Sequence, residues 1–329
     1  IIRGIESSCD ETAVALVADG HKVLSSVLNS QVKLHEKYGG VVPEIAARAH
    51  IEAIIPLIQE ALEKAQATPE QIAAIAVANC PGLTPALLIG VTAAKTLAWA
   101  WQKPLIAVNH IHCHLHSVML DESADCFPAV ALVVSGGHTS LYDCKSPMEM
   151  ELIGQTIDDA AGEAFDKAAA ILNLPYPGGP SIQKAAEQGN PKAVRFPRSM
   201  LAKDSLDFSF SGVKTAVLYH CKGQDMNGTS QVANMSEQEI ADIAASFQEA
   251  VVEVLVKKTI KAAKLTGHKY VLLGGGVAAN SVLRDKLDKA CRSHKLKLVV
   301  SQRKYCTDNA AMVAGLAYYK YLASDFSDF

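Results

Sequence analysis

The chain lacks any Cys-x-x-Cys pair, although it holds eight cysteines, at positions 9, 80, 113, 126, 144, 221, 291 and 306. Scattered thiols with no pairing framework suit a reducing compartment, and no signal peptide is visible, so a cytoplasmic setting is expected. The first residue is not methionine, so further residues are expected ahead of Ile1. Long apolar runs are also missing. The most hydrophobic stretch, Leu83 to Trp101, is interrupted by Pro85 and Lys95, which excludes a membrane-spanning helix there. Positive charge is not in surplus either. With 31 Lys and Arg against 34 Asp and Glu, the net charge of −3 excludes nucleic-acid binding by bulk attraction and leaves only local basic faces. Three such faces stand out: Lys257, Lys258, Lys261 and Lys264; Arg292, Lys295 and Lys297; and Arg303 with Lys304. No low-complexity tract occurs. The remainder, 329 residues at 49% hydrophobic and 20% charged, is an ordinary globular composition with enough chain for two lobes.

The densest chemistry lies in Asn109-His110-Ile111-His112-Cys113-His114-Leu115-His116. Leu105 to Val108 reads as a short buried strand, and Asn109 as the N-cap of the helix that follows. Helical spacing puts His110 and His114 on one face with Cys113 beside them, and His112 and His116 on a second face. A histidine pair four residues apart chelates one divalent ion but needs a third ligand from elsewhere. Asp308 is the best donor, following the strand Leu298 to Val300 at the start of the last helix, where it serves equally well as a plain N-cap. Zinc peptidase chemistry would require His-Glu-x-x-His, and Ile111 takes the place of that glutamate.

In chain order, Ile1 to Glu6, Thr12 to Val17 and Lys22 to Leu28 read as three β segments. The first turn, Ser7-Ser8-Cys9-Asp10-Glu11, offers backbone N–H groups for phosphate beside carboxylates for Mg²⁺. Residues 31 to 48 read as an irregular loop, Ala46 to Lys64 and Pro69 to Ala73 as helical, Ile75 to Ala78 as a strand, and Ala86 to Ala100 as a helix. Asp121 to Phe127 is a polar connector and the expected lobe boundary. Ala129 to Val134 is an apolar strand ending in Ser135-Gly136-Gly137-His138-Thr139, whose amides suit phosphate, and Ser140 to Tyr142 returns from it. Strand, turn and returning strand thus open each half, which points to an internal duplication. Asp158 to Lys167 opens a helix with four acids in its first turns, as dipole complementation favours. Pro177-Gly178-Gly179-Pro180 is a rigid turn, Asn227 to Asn234 a polar surface loop, and Ser236 to Leu265 a long helix. The neutral glycine turn Gly274 to Asn280, after the strand Tyr270 to Leu273, fits a sugar or a base.

These features resemble the actin/sugar-kinase/Hsp70-like (ASKHA) superfold, an α/β class with two lobes and an internal duplication. The implied lobes are residues 1–125 with 308–329 returning to them, and 126–307. Longer strings are more specific: Glu6-Ser7-Ser8-Cys9-Asp10-Glu11-Thr12, Tyr38-Gly39-Gly40-Val41-Val42-Pro43-Glu44, His110-x-x-x-His114, Val134 to Thr139, Asp158 to Lys167, Tyr176 to Pro180 and Cys306-Thr307-Asp308-Asn309. Nearly end to end they resemble the TsaD family of tRNA N6-adenosine threonylcarbamoyltransferases. The resemblance implies transfer of threonylcarbamoyl from threonylcarbamoyl-adenylate to N6 of adenosine 37 in tRNAs reading codons that begin with A. It implies one divalent metal ion, Fe²⁺ or Zn²⁺, on His110, His114 and Asp308, and adenylate binding at Val133, Val134, Ser135, Gly136, Gly137, Asp166, Gly179 and Asn280. It implies a paralogue (TsaB-like) and an ATPase (TsaE-like) as partners, and a separate enzyme that makes the adenylate. Asp10 and Glu11 are candidate general bases, with no catalytic residue assigned. Cys80, the His112-Cys113 pair and Gln183 depart from the family pattern, the last where an acid commonly holds ribose. The rival readings are a metal-dependent endopeptidase, a kinase-like nucleotide-binding enzyme of the same superfold, and a non-catalytic scaffold.

Overall fold

The computed structural model describes residues 1–121, 125–200, 202, 204–222 and 231–328. They form two compact units, one of Ile1–Phe127, Lys145–Met150 and Ser301–Phe329, the other of Pro128–Cys144 and Glu151–Val300. The first unit runs β1 (Ile2–Glu6), β2 (Glu11–Ala18), β3 (Lys22–Ser30), α1 (Val32–His35), α2 (Pro43–Ala65), β4 (Ala74–Cys80), α3 (Thr84–Trp101), β5 (Leu105–Asn109) and α4 (His110–His116). The chain continues through β6 (Ala129–Val134), β7 (Thr139–Cys144), β8 (Met150–Gln155), α5 (Ala161–Ile171), α6 (Gly178–Ala186), α7 (Ser211–Lys222) and α8 (Glu237–Thr266). It ends with β9 (Tyr270–Gly274), α9 (Ser281–Ser293), β10 (Lys297–Val300) and α10 (Ala310–Leu322), the last in the first unit.

The two sheets repeat one topology, β3-β2-β1-β4-β5 and β8-β7-β6-β9-β10. In each, the unit's first strand is central. It pairs antiparallel with the second strand and parallel with the fourth, and the fourth pairs parallel with the fifth. The duplication expected from the sequence is present.

Both faces of the first sheet are covered, so β1 is buried throughout. Strand alternation sends Ile5 into a cluster with Ile54, Leu57 and Ile58 of α2 and Ala94 and Ala98 of α3. It sends Ile2 to the other face, where α10 supplies Ala310, Ala311, Ala314 and Leu316 over Ala13, Ala15, Ala74 and Ala76 of the sheet. Alanine on both sides lets the helix lie close. At Gly4 any Cβ would fall on the Ala310 carbonyl oxygen. Glu6, two residues on, points to the same face, toward the start of α10.

Several local expectations need correction. The segment 31–48 is not one loop, because Pro43 opens α2 at its first turn and carries Glu44 and Arg48 onto the helix. Pro69–Gln71 is a single 3₁₀ turn, too short for the expected helix. Asp158 and Asp159 precede α5, so the four acids do not share its first turns. Asp158 instead accepts from Phe210 N and Ser211 N (2.8 and 3.2 Å) and so caps α7, and Asp159 bridges Lys167 and Lys214. Lys258 is no part of a solvated basic face: it is buried and donates to the carbonyls of Met200 and Ser205. Residues 122–124 of the connector and 227–230 of the expected surface loop lie outside the described residues, while Gln231–Asn234 form a 3₁₀ turn. Among the described residues no helix is long and apolar enough to cross a membrane.

Candidate functional site

Asn109 ends β5 and caps α4, its side chain accepting from Ile111 N (2.9 Å) and His112 N (3.2 Å). The cap sets the rotation of the short helix and so fixes which histidines face α10. His110, His114 and Asp308 each offer a ligand atom, and these atoms lie within 4.8 Å of one another. Both Nε2 atoms point at Asp308 Oδ1, from 3.5 Å for His110 and 3.0 Å for His114. The other ring nitrogen of His110 is held by Glu6 Oε2 at 2.9 Å, with Ser8 Oγ at 3.2 Å.

Asp308 is not the cap of α10. Asn309 accepts from Met312 N (3.0 Å) and does that work, which leaves the aspartate to face the histidines. Glu6, wholly buried, was missed by sequence reasoning. A glutamate closing a buried apolar strand needs a partner to offset its desolvation, and that was the available signal. Burial lowers the pKa of His110, but Glu6 and Asp308 more than reverse this and raise it to about 9. Two carboxylates converging on two buried imidazoles call for positive charge.

The other histidines play different parts. His116 lies buried against α10, its Nε2 donating to the Gly20 carbonyl at 3.0 Å, and burial lowers its pKa to about 4. Gly315 accommodates it, since a Cβ there would stand 2.7 Å from the imidazole. Cys113 is buried in the core cluster beneath α10 and is not among the three grouped ligands. In the first turn, burial raises the pKa of Asp10, and raises that of Glu11 to about 8, with Glu11 Oε1 accepting from Ser30 Oγ. Burial shifts both carboxyls in the same direction, toward the working pH of a general base, so it does not choose between the two candidates.

In the second unit, glycines gather the expected nucleotide-binding residues. A Cβ on Gly162 would meet Ser135 O at 2.5 Å, and one on Gly178 would meet Phe165 O at 2.6 Å, so α5 touches the Ser135–Gly137 turn and α6 touches α5. Asp166 Oδ1 accepts from Gly178 N (2.7 Å). Gly136, Gly137 and Gly179 are different: each has ordinary φ, and a Cβ would meet nothing within 4 Å. Neither backbone geometry nor packing requires glycine there. Val133 and Val134 are wholly buried strand residues beneath this turn. Asn280 caps α9 through Leu283 N (3.0 Å) and donates to Gln248 Oε1 (2.7 Å), so both ends of its amide are engaged within the protein. Gln183 accepts from Ser281 N (3.0 Å).

Among solved structures, component A of the Acidaminococcus fermentans (R)-2-hydroxyglutaryl-CoA dehydratase superposes with a TM-score of 0.54, at 17% identity over 98% of each chain. Full-length HypF in its phosphate- and nucleotide-bound form gives 0.61 at 15% identity, over 99% of this chain and 47% of that one. Likeness at such identity shows the fold alone, and it is the actin/sugar-kinase/Hsp70-like class. The family follows from sequence. The family model described as "TsaD: tRNA N6-adenosine threonylcarbamoyltransferase" matches residues 22–315. Curated relatives bearing that enzyme name include one from Symbiobacterium thermophilum, 51% identical over 98% of this chain and 92% of its own. Another, from Protochlamydia amoebophila, is 50% identical over 100% of this chain and 95% of its own. The chain belongs to the TsaD family of tRNA N6-adenosine threonylcarbamoyltransferases.

Proposed function

We propose that the chain transfers the threonylcarbamoyl group of threonylcarbamoyl-adenylate to N6 of adenosine 37 in tRNAs reading codons that begin with A, with a divalent cation bound by His110, His114 and Asp308. Family membership across nearly the whole chain is the observation that carries this reading. The site chemistry supports it. Three donors of the types that hold Fe²⁺ or Zn²⁺ converge, and a buried carboxylate orients one of the imidazoles from behind, as metal-bound histidines require. Ile111, buried where a zinc peptidase carries its glutamate, disfavours the endopeptidase.

In the reaction, N6 attacks the carbamoyl carbon of the mixed anhydride, and AMP leaves as the carbon–oxygen bond breaks. A bound cation would orient the donor and offset charge developing on its oxygens. The residues of the chain do the rest. The Gly136 and Gly137 amides, exposed at a strand end, receive the donor's phosphate or carbonyl oxygen. Asp10 and Glu11, in the turn after β1, are the candidates to accept the N6 proton. Glu6 holds His110 in the orientation that turns Nε2 to the centre. A TsaB-like paralogue and a TsaE-like ATPase are proposed as partners, in the cytoplasm, with the adenylate supplied by a separate enzyme.

The test is to incubate the protein and both partners with the adenylate-forming enzyme, threonine, bicarbonate, ATP and unmodified tRNA, then digest the RNA and analyse its nucleosides by mass spectrometry. The modified nucleoside is expected to depend on this chain. Equal yield without the chain would refute the assignment.

A further inference from the structure

The segment between α1 and α2 carries features that the metal and nucleotide readings leave unused. Tyr38 is 52% exposed, with Lys37 Nζ 4.9 Å from its ring centroid. Gly39 takes a left-handed φ of 69° and turns the chain, as glycine allows. Gly40 has no such φ, and a Cβ there would meet nothing within 4 Å. Like Gly136 and Gly137, it is a glycine that neither the backbone nor packing demands.

The base of this arm is anchored by a buried relay. Val42 N donates to His35 Nδ1 (3.2 Å), and His35 Nε2 donates to Gln31 Oε1 (3.2 Å). The Gln31 amide nitrogen donates to the Ala46 carbonyl (3.3 Å) and stands 3.5 Å from His50 Nδ1. His50 Nε2 donates to the Cys9 carbonyl (3.0 Å) while Thr12 Oγ1 donates to its Nδ1 (2.7 Å). The Gln31 backbone N–H donates to the Asp10 carbonyl (3.0 Å). Gln31, His35 and His50 are wholly buried, so these bonds join the foot of the arm, at His35 and Val42, to the turn Ser8–Asp10. That turn is the one whose Ser8 touches His110.

We propose that this arm is an RNA-contacting element in which Tyr38 stacks on a nucleobase beside the target adenosine while the Gly39-Gly40 backbone lies against the strand. The inference rests on the tRNA-modifying reading above and names the contact that reading lacks. An adenosine in a loop must be splayed out for reaction at N6, and its neighbours are then held by aromatic faces. Lys37 on one face of the ring leaves the other for a base and puts a cation near the phosphates. Lys33, Lys37 and Arg48 stand against Glu36 and Glu44, a surplus of one positive charge, so the arm recognises by stacking and not by bulk charge. The buried relay ties both ends of the short segment that carries Tyr38, at His35 and Val42, to the metal-facing turn.

The reconstituted modification reaction tests this with Tyr38→Ala, Tyr38→Phe and Gly40→Ala. Tyr38→Ala is expected to raise the KM for tRNA about tenfold, in line with the loss of one stacked base, while the KM for the adenylate, the metal content and the melting temperature stay unchanged. Tyr38→Phe should restore the wild-type KM. Gly40→Ala, whose added Cβ meets open space, should fold normally and raise the KM for tRNA. An unchanged KM for tRNA in Tyr38→Ala, with the wild type active, overturns the stacking role and leaves the transferase reading standing. Lost binding of a partner protein with KM for tRNA unchanged also overturns it, and assigns the arm to a protein contact. Wild type that leaves tRNA unmodified refutes the transferase reading itself.

Discussion

At the residue scale the decisive side chain is Glu6. It accepts from Ser8 N (2.6 Å) through one oxygen and holds His110 Nδ1 through the other, so one buried carboxylate shapes the turn and orients a candidate ligand. Glu6→Gln keeps the shape and an acceptor but removes the charge. It is expected to weaken divalent-metal affinity by about 10- to 100-fold, measured by titrating metal-free protein, while Glu11→Gln leaves the affinity unchanged. Equal affinity in both variants would remove Glu6 from the site. The pairing of His110 with His114 was legible in the sequence because helical spacing is a local property, and the Asn109 cap likewise. The separate fates of His116 and Cys113 were not, because they depend on what packs over α4 from almost two hundred residues away. Nor could composition show that Asn280 spends its amide on Gln248 and the α9 cap.

At the element scale α10 governs the site. It brings Asp308 to α4 because two glycines let it lie close, Gly4 beneath its first turn and Gly315 against His116. A Cβ at Gly4 meets backbone, which cannot swing aside. Gly4→Ala is therefore expected to cost about 1–3 kcal/mol, at the upper end of that range, and to lower metal affinity by displacing Asp308. Gly315→Ala, which meets an imidazole, should cost less. Denaturant melts and metal titrations of the two variants check the order. Wild-type metal affinity in a destabilised Gly4→Ala would separate the seating of α10 from the site. The sequence revealed the helix itself, but the choice between Asp308 and Asn309 as its cap needed the three-dimensional view. The same holds for Asp158, which lies near one helix in sequence and caps another in space.

At the scale of the whole molecule, the repeated strand–turn–strand openings disclosed the duplication, and both sheets show the same order. Strands buried on both faces read as short continuous apolar runs between polar or glycine turns, which is why this much was legible. Surface electrostatics were less so: Lys258 is buried, and Lys304 pairs with Asp121 at 2.6 Å. With a net charge of −3, RNA affinity is expected to depend on local contacts and partner proteins. The central claim is that His110, His114 and Asp308 form one cation site on which nucleoside modification depends. Its most direct test measures bound metal and modified nucleoside together in His110→Ala, His114→Ala, Asp308→Ala and His112→Ala. The first three should lose both metal and product, and His112→Ala should keep both. Full metal occupancy and product formation in Asp308→Ala would contradict the account.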